Sequence, residues 1–101
     1  MIARTWKGWT SAADADPYVD YLNETGVPGL AGTPGNRGVY IFRRIDGERA
    51  EFIVLSLWES LGAIKAFAGD DVEQAVFYPE DDDFLVDRET TCVHYEVPVA
   101  V

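Results

Sequence analysis

Apolar residues run together, or alternate with polar ones, in four stretches of the chain that predict β-strands. The third stretch is apolar at nearly every position, so both of its faces should be buried. The dipeptide Asp46-Gly47 stands before it and is the strongest hairpin signal in the chain. The four predicted strands are residues 2–9, 39–45, 52–58 and 90–97.

A second pattern, with apolar residues three or four positions apart, predicts two amphipathic helices between the strands. The clearer helix covers residues 61–68, because Ser60 can cap its first turn and Gly69 can end it. Its inner stripe consists of Leu61, Ile64, Phe67 and Ala68. The earlier helix begins within residues 11–16 and ends at Gly26. Its inner face consists of Tyr18, Tyr21, Leu22 and Thr25.

The segments that remain predict connections. Glycine recurs at every third position within residues 26–38, together with two prolines, and this composition predicts a long loop. Residues 72–78 predict a short helical piece that Pro79 closes. The acidic residues 80–83 predict a solvated turn, because contiguous acids do not easily converge on one metal ion.

The resulting order of elements is strand, helix, strand, strand, helix, strand. This order is typical of the split βαβ, or ferredoxin-like, α+β fold. In that fold a four-stranded antiparallel sheet carries its helices on one face. Residues 1–101 are predicted to form a single domain, since a chain of this length rarely forms two.

The predicted sheet is apolar on both faces, although the helices can cover only one of them. On the third strand Phe52 and Val54 point one way, and Ile53 and Leu55 point the other way. Soluble monomers rarely leave such a face open to water. We therefore expect a homodimer in which two sheets pair face to face with two-fold symmetry.

The net charge of −10 argues against partners that are themselves anionic. Nucleic acids and anionic membrane surfaces both need clustered Lys and Arg residues, so neither is predicted to bind. The chain has no apolar run of membrane-spanning length, and its start lacks the apolar core of a signal peptide. We therefore expect a cytoplasmic protein.

The single cysteine, Cys92, excludes an intrachain disulfide, and the single histidine, His94, excludes a metal site built from several histidines. His94 is the one side chain that ordinarily titrates near neutral pH, so it is the predicted catalytic proton acceptor. A purely structural histidine on a strand is the alternative.

Five residues besides His94 are predicted to bind substrate on the basis of their side-chain chemistry and their position. Arg4 and Trp6 share one face of the first strand, and Arg43 lies on the second strand. A buried arginine would hold a phenolate, whereas an exposed one would offset the acidic surface. Tyr40 would donate a hydrogen bond to a carbonyl, or belong to an aromatic core. Phe67 lies on the inner stripe of the helix and would contact the same molecule.

The run Trp58-Glu59-Ser60, followed by Ala63-Ile64 and Phe67-Ala68-Gly69, resembles the antibiotic biosynthesis monooxygenase family. The resemblance covers nearly the whole chain and implies a dimeric α+β barrel. It also implies oxidation of a polycyclic phenol by oxygen without metal or flavin, so no cofactor is predicted. Trp58 matches a tryptophan that lines the cavity in that family, and it is therefore predicted to bind substrate.

Haem-degrading relatives within the family carry a histidine about three helical turns beyond this tryptophan. Phe67 and Ala68 stand at the comparable positions of this chain. These relatives also carry an asparagine on the first strand, where this chain has Arg4, Trp6 and Lys7. Haem degradation is therefore the less favoured reading.

The sequence thus predicts a monooxygenase-like protein that oxidises a small aromatic or polyketide-type molecule between sheet and helices. The alternative is a non-catalytic dimer that binds a small ligand or serves as an interaction module. The two differ in whether the pocket contains a well-placed titratable group.

Overall fold

The computed structural model describes residues 1–101 and contains one antiparallel sheet of five strands. The strands are β1 (Ile2–Ser11), β2 (Asn36–Asp46), β3 (Arg49–Trp58), β4 (Leu85–Arg88) and β5 (Val93–Glu96). β1 pairs with β3 along its whole length, and β3 pairs with β2. The other edge of β1 is shared by β5 near its start and by β4 near its end. The predicted ferredoxin-like order is confirmed, with the fourth strand divided in two.

Four helices cover one face of this sheet and leave the opposite face open. They are α1 (Ala15–Glu24), α2 (Gly26–Ala31), α3 (Leu61–Ala68) and α4 (Asp81–Phe84), with a 3₁₀ turn at Ala12–Asp14 before α1. None of these helices has the length and hydropathy that a membrane crossing requires. The cytoplasmic location stays a prediction.

The core divides into two clusters along the covered face of the sheet. At the hairpin end, Tyr18 of α1 packs edge to face on Phe52 of β3, with ring centroids 4.9 Å apart. At the other end, Trp58 of β3 packs with Leu30 of α2 and Ile64 of α3. A cleft forms between the two clusters, lined by Tyr18 and Leu22 of the first and by Leu30 of the second.

The prediction of a single long loop over residues 26–38 is wrong, because its first six residues form α2. Pro28 is the third residue of this helix, a position within the first turn where a backbone N–H has no partner to lose. Burial of Leu30 against Trp58 outweighs the poor helix propensity of the glycines.

The predicted helical piece at residues 72–78 is also wrong, because the segment begins with a turn at residues 72–73 and then runs beside the chain that follows β4. The amide of Cys92 donates to the carbonyl of Glu73 at 2.7 Å, and the amide of Ala75 donates to that of Thr90 at 3.0 Å. The guanidinium of Arg4 donates hydrogen bonds to two more carbonyl oxygens of this segment, those of Val72 and Gln74. Carbonyls occupied in this way cannot close the hydrogen bonds of a helix.

The predicted fourth strand differs from the observed one in a related way. Residues 85–88 already pair with β1, and the amide of Glu89 still donates to the carbonyl of Lys7, whereas residues 90–92 leave β1 and run beside residues 73–75. The acidic residues 80–83 do not form an open turn, since three of them begin the short helix α4.

The open face of the sheet carries the apolar residues that alternation assigned to it. Four large side chains on this face are roughly half exposed to solvent, and they stand on the two outer strands. These side chains are Tyr40, Phe42, Val93 and Tyr95. The homodimer that this face suggested stays a prediction at this point.

The predicted helix at residues 61–68 is confirmed, and its cap provides a test of how this part of the fold is held. The hydroxyl of Ser60 accepts the backbone N–H of Ala63 at 3.2 Å. We expect Ser60→Ala to lower the free energy of unfolding by about 1 kcal/mol, measured by urea denaturation. Ser60→Asp supplies another capping oxygen and should remain close to the wild type. Equal stability of the alanine variant and the wild type would contradict this assignment.

Candidate functional site

A cleft lies between the covered face of the sheet and the extended segment at residues 75–78. The space between its walls is about 560 Å³, a figure that includes the solvent at its open side. Its wall is mostly apolar, and its only charged side chains are one arginine and one aspartate. The lining residues are Arg4, Trp6, Tyr18, Leu22, Gly26, Leu30, Val54, Ser56, Phe67, Ala75, Val76, Phe77, Tyr78, Asp81 and Cys92.

Arg4 is a buried cation in this wall, with only 4% of its surface exposed. Its guanidinium donates to the carbonyl oxygens of Val72 and Gln74, the latter at 2.8 Å. It takes part in none of the ion pairs of the protein. Burial lowers the pKa of Arg4, yet an arginine stays protonated near neutral pH because its ordinary pKa is so high. The wall therefore holds a positive charge that no carboxylate neutralises.

His94 lies directly across from Arg4 in the pairing of β5 with β1. Its Nε2 atom is 3.0 Å from Nη1 of Arg4. Because a guanidinium can only donate, Nε2 is the unprotonated nitrogen and the ring proton is on Nδ1. Burial first, and the charge of Arg4 second, lower the pKa of His94, although Glu73 opposes them. The structure thus shows His94 orienting Arg4, while its role as a proton acceptor stays a prediction.

Trp6 forms an aromatic wall of the cleft next to Arg4. Its indole lies over Gly8 on the same face of β1, and a side chain at position 8 would overlap the ring. The indole N–H donates to the carbonyl of Glu89 at 2.6 Å, and the ring meets Phe77 edge to face with centroids 6.0 Å apart. The indole is therefore fixed at both ends and presents a rigid apolar surface to a ligand.

Trp58 lies behind the wall and does not line the cleft. It is completely buried, and its indole N–H donates to the hydroxyl of Ser56 at 2.8 Å. Its ring centroid is 6.0 Å from that of Phe67, which does line the cleft. Trp58 therefore supports two lining residues, Ser56 and Phe67, from within the core.

Asp81 is the second charged residue of the cleft, and sequence reasoning passed over it as part of a solvated turn. It is only 5% exposed, and burial raises the pKa of its carboxyl group. Its Oδ2 atom accepts the backbone N–H of Tyr78 at 2.6 Å. The sequence does hold a signal for this contact. Pro79 followed by an acid two positions later is typical of a first helical turn whose side chain reaches back to cap the chain.

The prediction that Trp58 contacts the substrate directly is wrong, and two further predicted substrate-binding residues, Tyr40 and Arg43, also lie outside the cleft. Tyr40 is 51% exposed and stands on the open face of the sheet. Arg43 points to the covered face but lies nearer the hairpin, where its guanidinium is 2.6 Å from the carboxylate of Asp16. The structure therefore brings together Arg4, Trp6, Phe67 and, through its contact with Arg4, His94.

Cys92 also lines the cleft and lies close enough to Arg4 for their charges to interact. Burial raises the pKa of the Cys92 thiol, and Arg4 opposes this shift only in part. The thiol is therefore protonated at neutral pH. No group of three histidine, cysteine or acidic side chains lies together in a way that would hold a metal ion.

Comparison with solved structures identifies proteins of the same fold. One is a Bacillus cereus protein provisionally assigned as an antibiotic biosynthesis monooxygenase, with 16% identity and a TM-score of 0.70. The match covers 100% of this chain and 94% of that protein. At 16% identity the match shows a shared fold. A shared fold confirms the structural part of the family resemblance that residues 58–69 indicated.

A second solved structure is the haem degrader MhuD from Mycobacterium tuberculosis, with two haems bound in its active site. It is 21% identical, with a TM-score of 0.60, and the match covers 100% of this chain and 99% of MhuD. No protein-family model matches the chain, and no curated protein sequence matches it.

The contact between Arg4 and His94 predicts how the only histidine titrates. We expect an NMR titration to give His94 a pKa below its ordinary value of about 6.5. Arg4→Met should raise this pKa, because it removes a neighbouring positive charge. The unfolded chain takes up the proton first as pH falls, so the contribution of His94 to stability is present above about pH 6.5 and is lost below it. A wild-type pKa at or above the ordinary value would contradict the contact.

Proposed function

We propose that this protein binds a small aromatic molecule with an anionic oxygen at Arg4 and oxidises it in its phenolate form with molecular oxygen. The observation that carries the proposal is the buried, unneutralised charge of Arg4 in a cleft whose other walls are mostly apolar and include several aromatic rings. The fold shared with a monooxygenase-like protein supports the reaction class, and the buried cation and apolar lining of the cleft support the substrate class.

Arg4 favours the phenolate over the phenol because a charge interacts more strongly in a buried site than in water. Its guanidinium is held by the carbonyls of Val72 and Gln74 and by His94, so little reorganisation is needed when the ligand ionises. Trp6 and Phe67 provide apolar surface for the ring system. The arrangement therefore lowers the pKa of a bound phenol and raises the fraction of the electron-rich form.

An electron-rich phenolate can transfer an electron to oxygen without a redox group on the protein. For an anthrone-type phenol the balanced reaction consumes one O₂. One oxygen atom becomes the new carbonyl of the quinone, and the other leaves as water with the two hydrogens lost from the ring carbon. The protein's part is to bind, to stabilise the phenolate and to exclude bulk water. The proposed reaction uses no resident cofactor.

A second candidate is a non-catalytic ligand-binding protein, and the state of His94 favours it. The lone pair of Nε2 accepts a hydrogen bond from Arg4, so the predicted proton acceptor is engaged in this structure. Such a protein would bind the same class of aromatic anion at the same place and would not consume oxygen. The fold likeness to MhuD leaves haem open as a further ligand, so a haem titration belongs in the same experiment.

We also propose that the protein acts as a homodimer that buries the open face of the sheet. Leu55 lies near the middle of this face, between Tyr40 of β2 and Thr5 of β1. Its surroundings include several half-exposed apolar side chains, and a second copy of the chain supplies a matching apolar surface by symmetry.

Removal of the charge of Arg4 tests the proposed chemistry. We expect wild-type protein to consume oxygen with anthrone-type phenols, and Arg4→Met to lower kcat/KM by roughly 10- to 100-fold, the range for loss of a hydrogen bond to a charged group. An oxygen electrode measures the rates. Arg37→Met is the matched control, since Arg37 is exposed and paired with Glu59 outside the cleft. Thermal melting checks that both variants are folded.

Two results would speak against this reaction. Oxidation by Arg4→Met at the wild-type rate would remove Arg4 from the mechanism. Wild-type protein that binds the phenols without oxygen uptake above the protein-free blank would favour the non-catalytic candidate.

The homodimer is tested by light scattering on a sizing column at micromolar protein. We expect a mass twice that of the 11.2 kDa chain, and Leu55→Asp should return the mass to that of one chain because it places a charge in the proposed interface. Leu61→Asp is the matched control, at the exposed start of α3 on the other side of the sheet. A wild-type mass of a single chain would overturn the dimer.

A further inference from the structure

Asp81 is a second charged residue in the wall of the cleft, which the proposed function does not use. It lies on α4, whereas Arg4 lies on β1, so two different walls supply the opposite charges. The two residues do not form an ion pair with each other. Mostly apolar and aromatic side chains line the space that both of them border. A ligand that fills this space therefore meets a cation on one wall and a carboxyl group on another.

The carboxyl group of Asp81 has more hydrogen-bonding capacity than the protein uses. Its Oδ2 atom accepts the backbone N–H of Tyr78, whereas a carboxylate offers about four acceptor positions on its two oxygens. The nearby cation that would satisfy the rest is Arg88, but Arg88 pairs with Asp82 on the exposed side of the same turn. A cap alone does not require burial, and a further hydrogen-bond donor would replace the hydration that the buried carboxyl group has lost.

We infer that the cleft selects aromatic anions that carry a hydroxyl group at the end of the molecule away from the anionic oxygen, with Asp81 accepting the hydrogen bond of that hydroxyl. This inference rests on the proposed function, because it assumes that Arg4 holds the anionic end. It names a specificity-determining residue and a narrower class of ligand.

A neutral hydroxyl group suits this position better than an ammonium group. Arg88 lies close enough to stabilise the charge of Asp81, and its guanidinium is 4.8 Å from the ring centroid of Phe77 in the cleft wall. A ligand cation would be repelled by Arg88 and would have to lose its hydration in an apolar cleft. A hydroxyl group donates one hydrogen bond to the carboxylate without bringing a second charge.

Matched pairs of aromatic acids test the inference by calorimetric titration of the full chain. One pair is 2-naphthoate and 6-hydroxy-2-naphthoate, and the shorter pair is benzoate and 4-hydroxybenzoate, so that two spans of the cleft are sampled. We expect the wild type to bind the hydroxy acid about tenfold more tightly than its parent in at least one pair, as a hydrogen bond to a charged acceptor provides.

Two variants of the same helical turn separate recognition from folding. Asp81→Asn keeps a side-chain oxygen for the N–H of Tyr78 but removes the charged acceptor, so the preference for the hydroxy acid should fall to within about twofold. Asp83→Asn removes the same charge from an exposed neighbour and should keep the full preference. Melting curves confirm that both variants are folded.

Each remaining outcome decides the question. If the acids bind and Arg4→Met abolishes their binding, but no hydroxy acid is preferred, the inference falls and the anion site of the proposed function stands. Preference retained by Asp81→Asn also overturns it. If no acid binds, both fall together. Hydroxy-acid preference without oxygen uptake supports the inference and removes only the oxidation.

Discussion

The structure depends on the burial of one guanidinium in the first strand. Arg4 has no carboxylate partner, and its charge is met by the carbonyls of Val72 and Gln74 and by His94. An unsatisfied charge in the interior costs several kcal/mol, so these acceptors are held where the guanidinium needs them. Their position fixes the route of the segment after α3, and this segment forms the outer wall of the cleft. The binding site is thus a consequence of how the charge is accommodated.

The walls of the cleft also depend on two glycines, Gly8 and Gly29, where a side chain would collide with an aromatic residue. The indole of Trp6 occupies the space above Gly8, and the hydroxyl of Tyr78 lies against Gly29 of α2. A larger residue at either position would overlap the aromatic side chain and displace it. The glycine at position 29 belongs to the segment whose composition predicted a loop, and its role here is to let a helix approach an aromatic ring. Composition alone does not distinguish these two uses of glycine, because both need a small residue.

The parts of the structure that the sequence predicts correctly are those governed by local periodicity. Alternation assigned Arg4 and Trp6 to one face of β1, and helical spacing with the cap at Ser60 defined α3. The errors occur where distant groups compete for the backbone, as at residues 72–78, whose carbonyls bond to Arg4 and to the chain after β4. Asp81 was missed for a similar reason. Its three acidic neighbours in sequence suggest solvent, and only the fold shows that one of the four points inward.

The acidity of the chain constrains what kind of ligand this cleft can take. With a net charge of −10, the protein as a whole repels an approaching anion. Salt at physiological concentration screens this repulsion beyond about 8 Å. The repulsion therefore slows the encounter with an anion more than it weakens the bound complex. The local charge of Arg4 then acts at short range in a desolvated site, where it is strongest. Because the overall charge of the protein does not attract an anion, the affinity of a bound anion comes from the short-range charge of Arg4 together with apolar contact. A flat, largely apolar ring system with a single charged oxygen meets this requirement, whereas a small, highly charged anion does not.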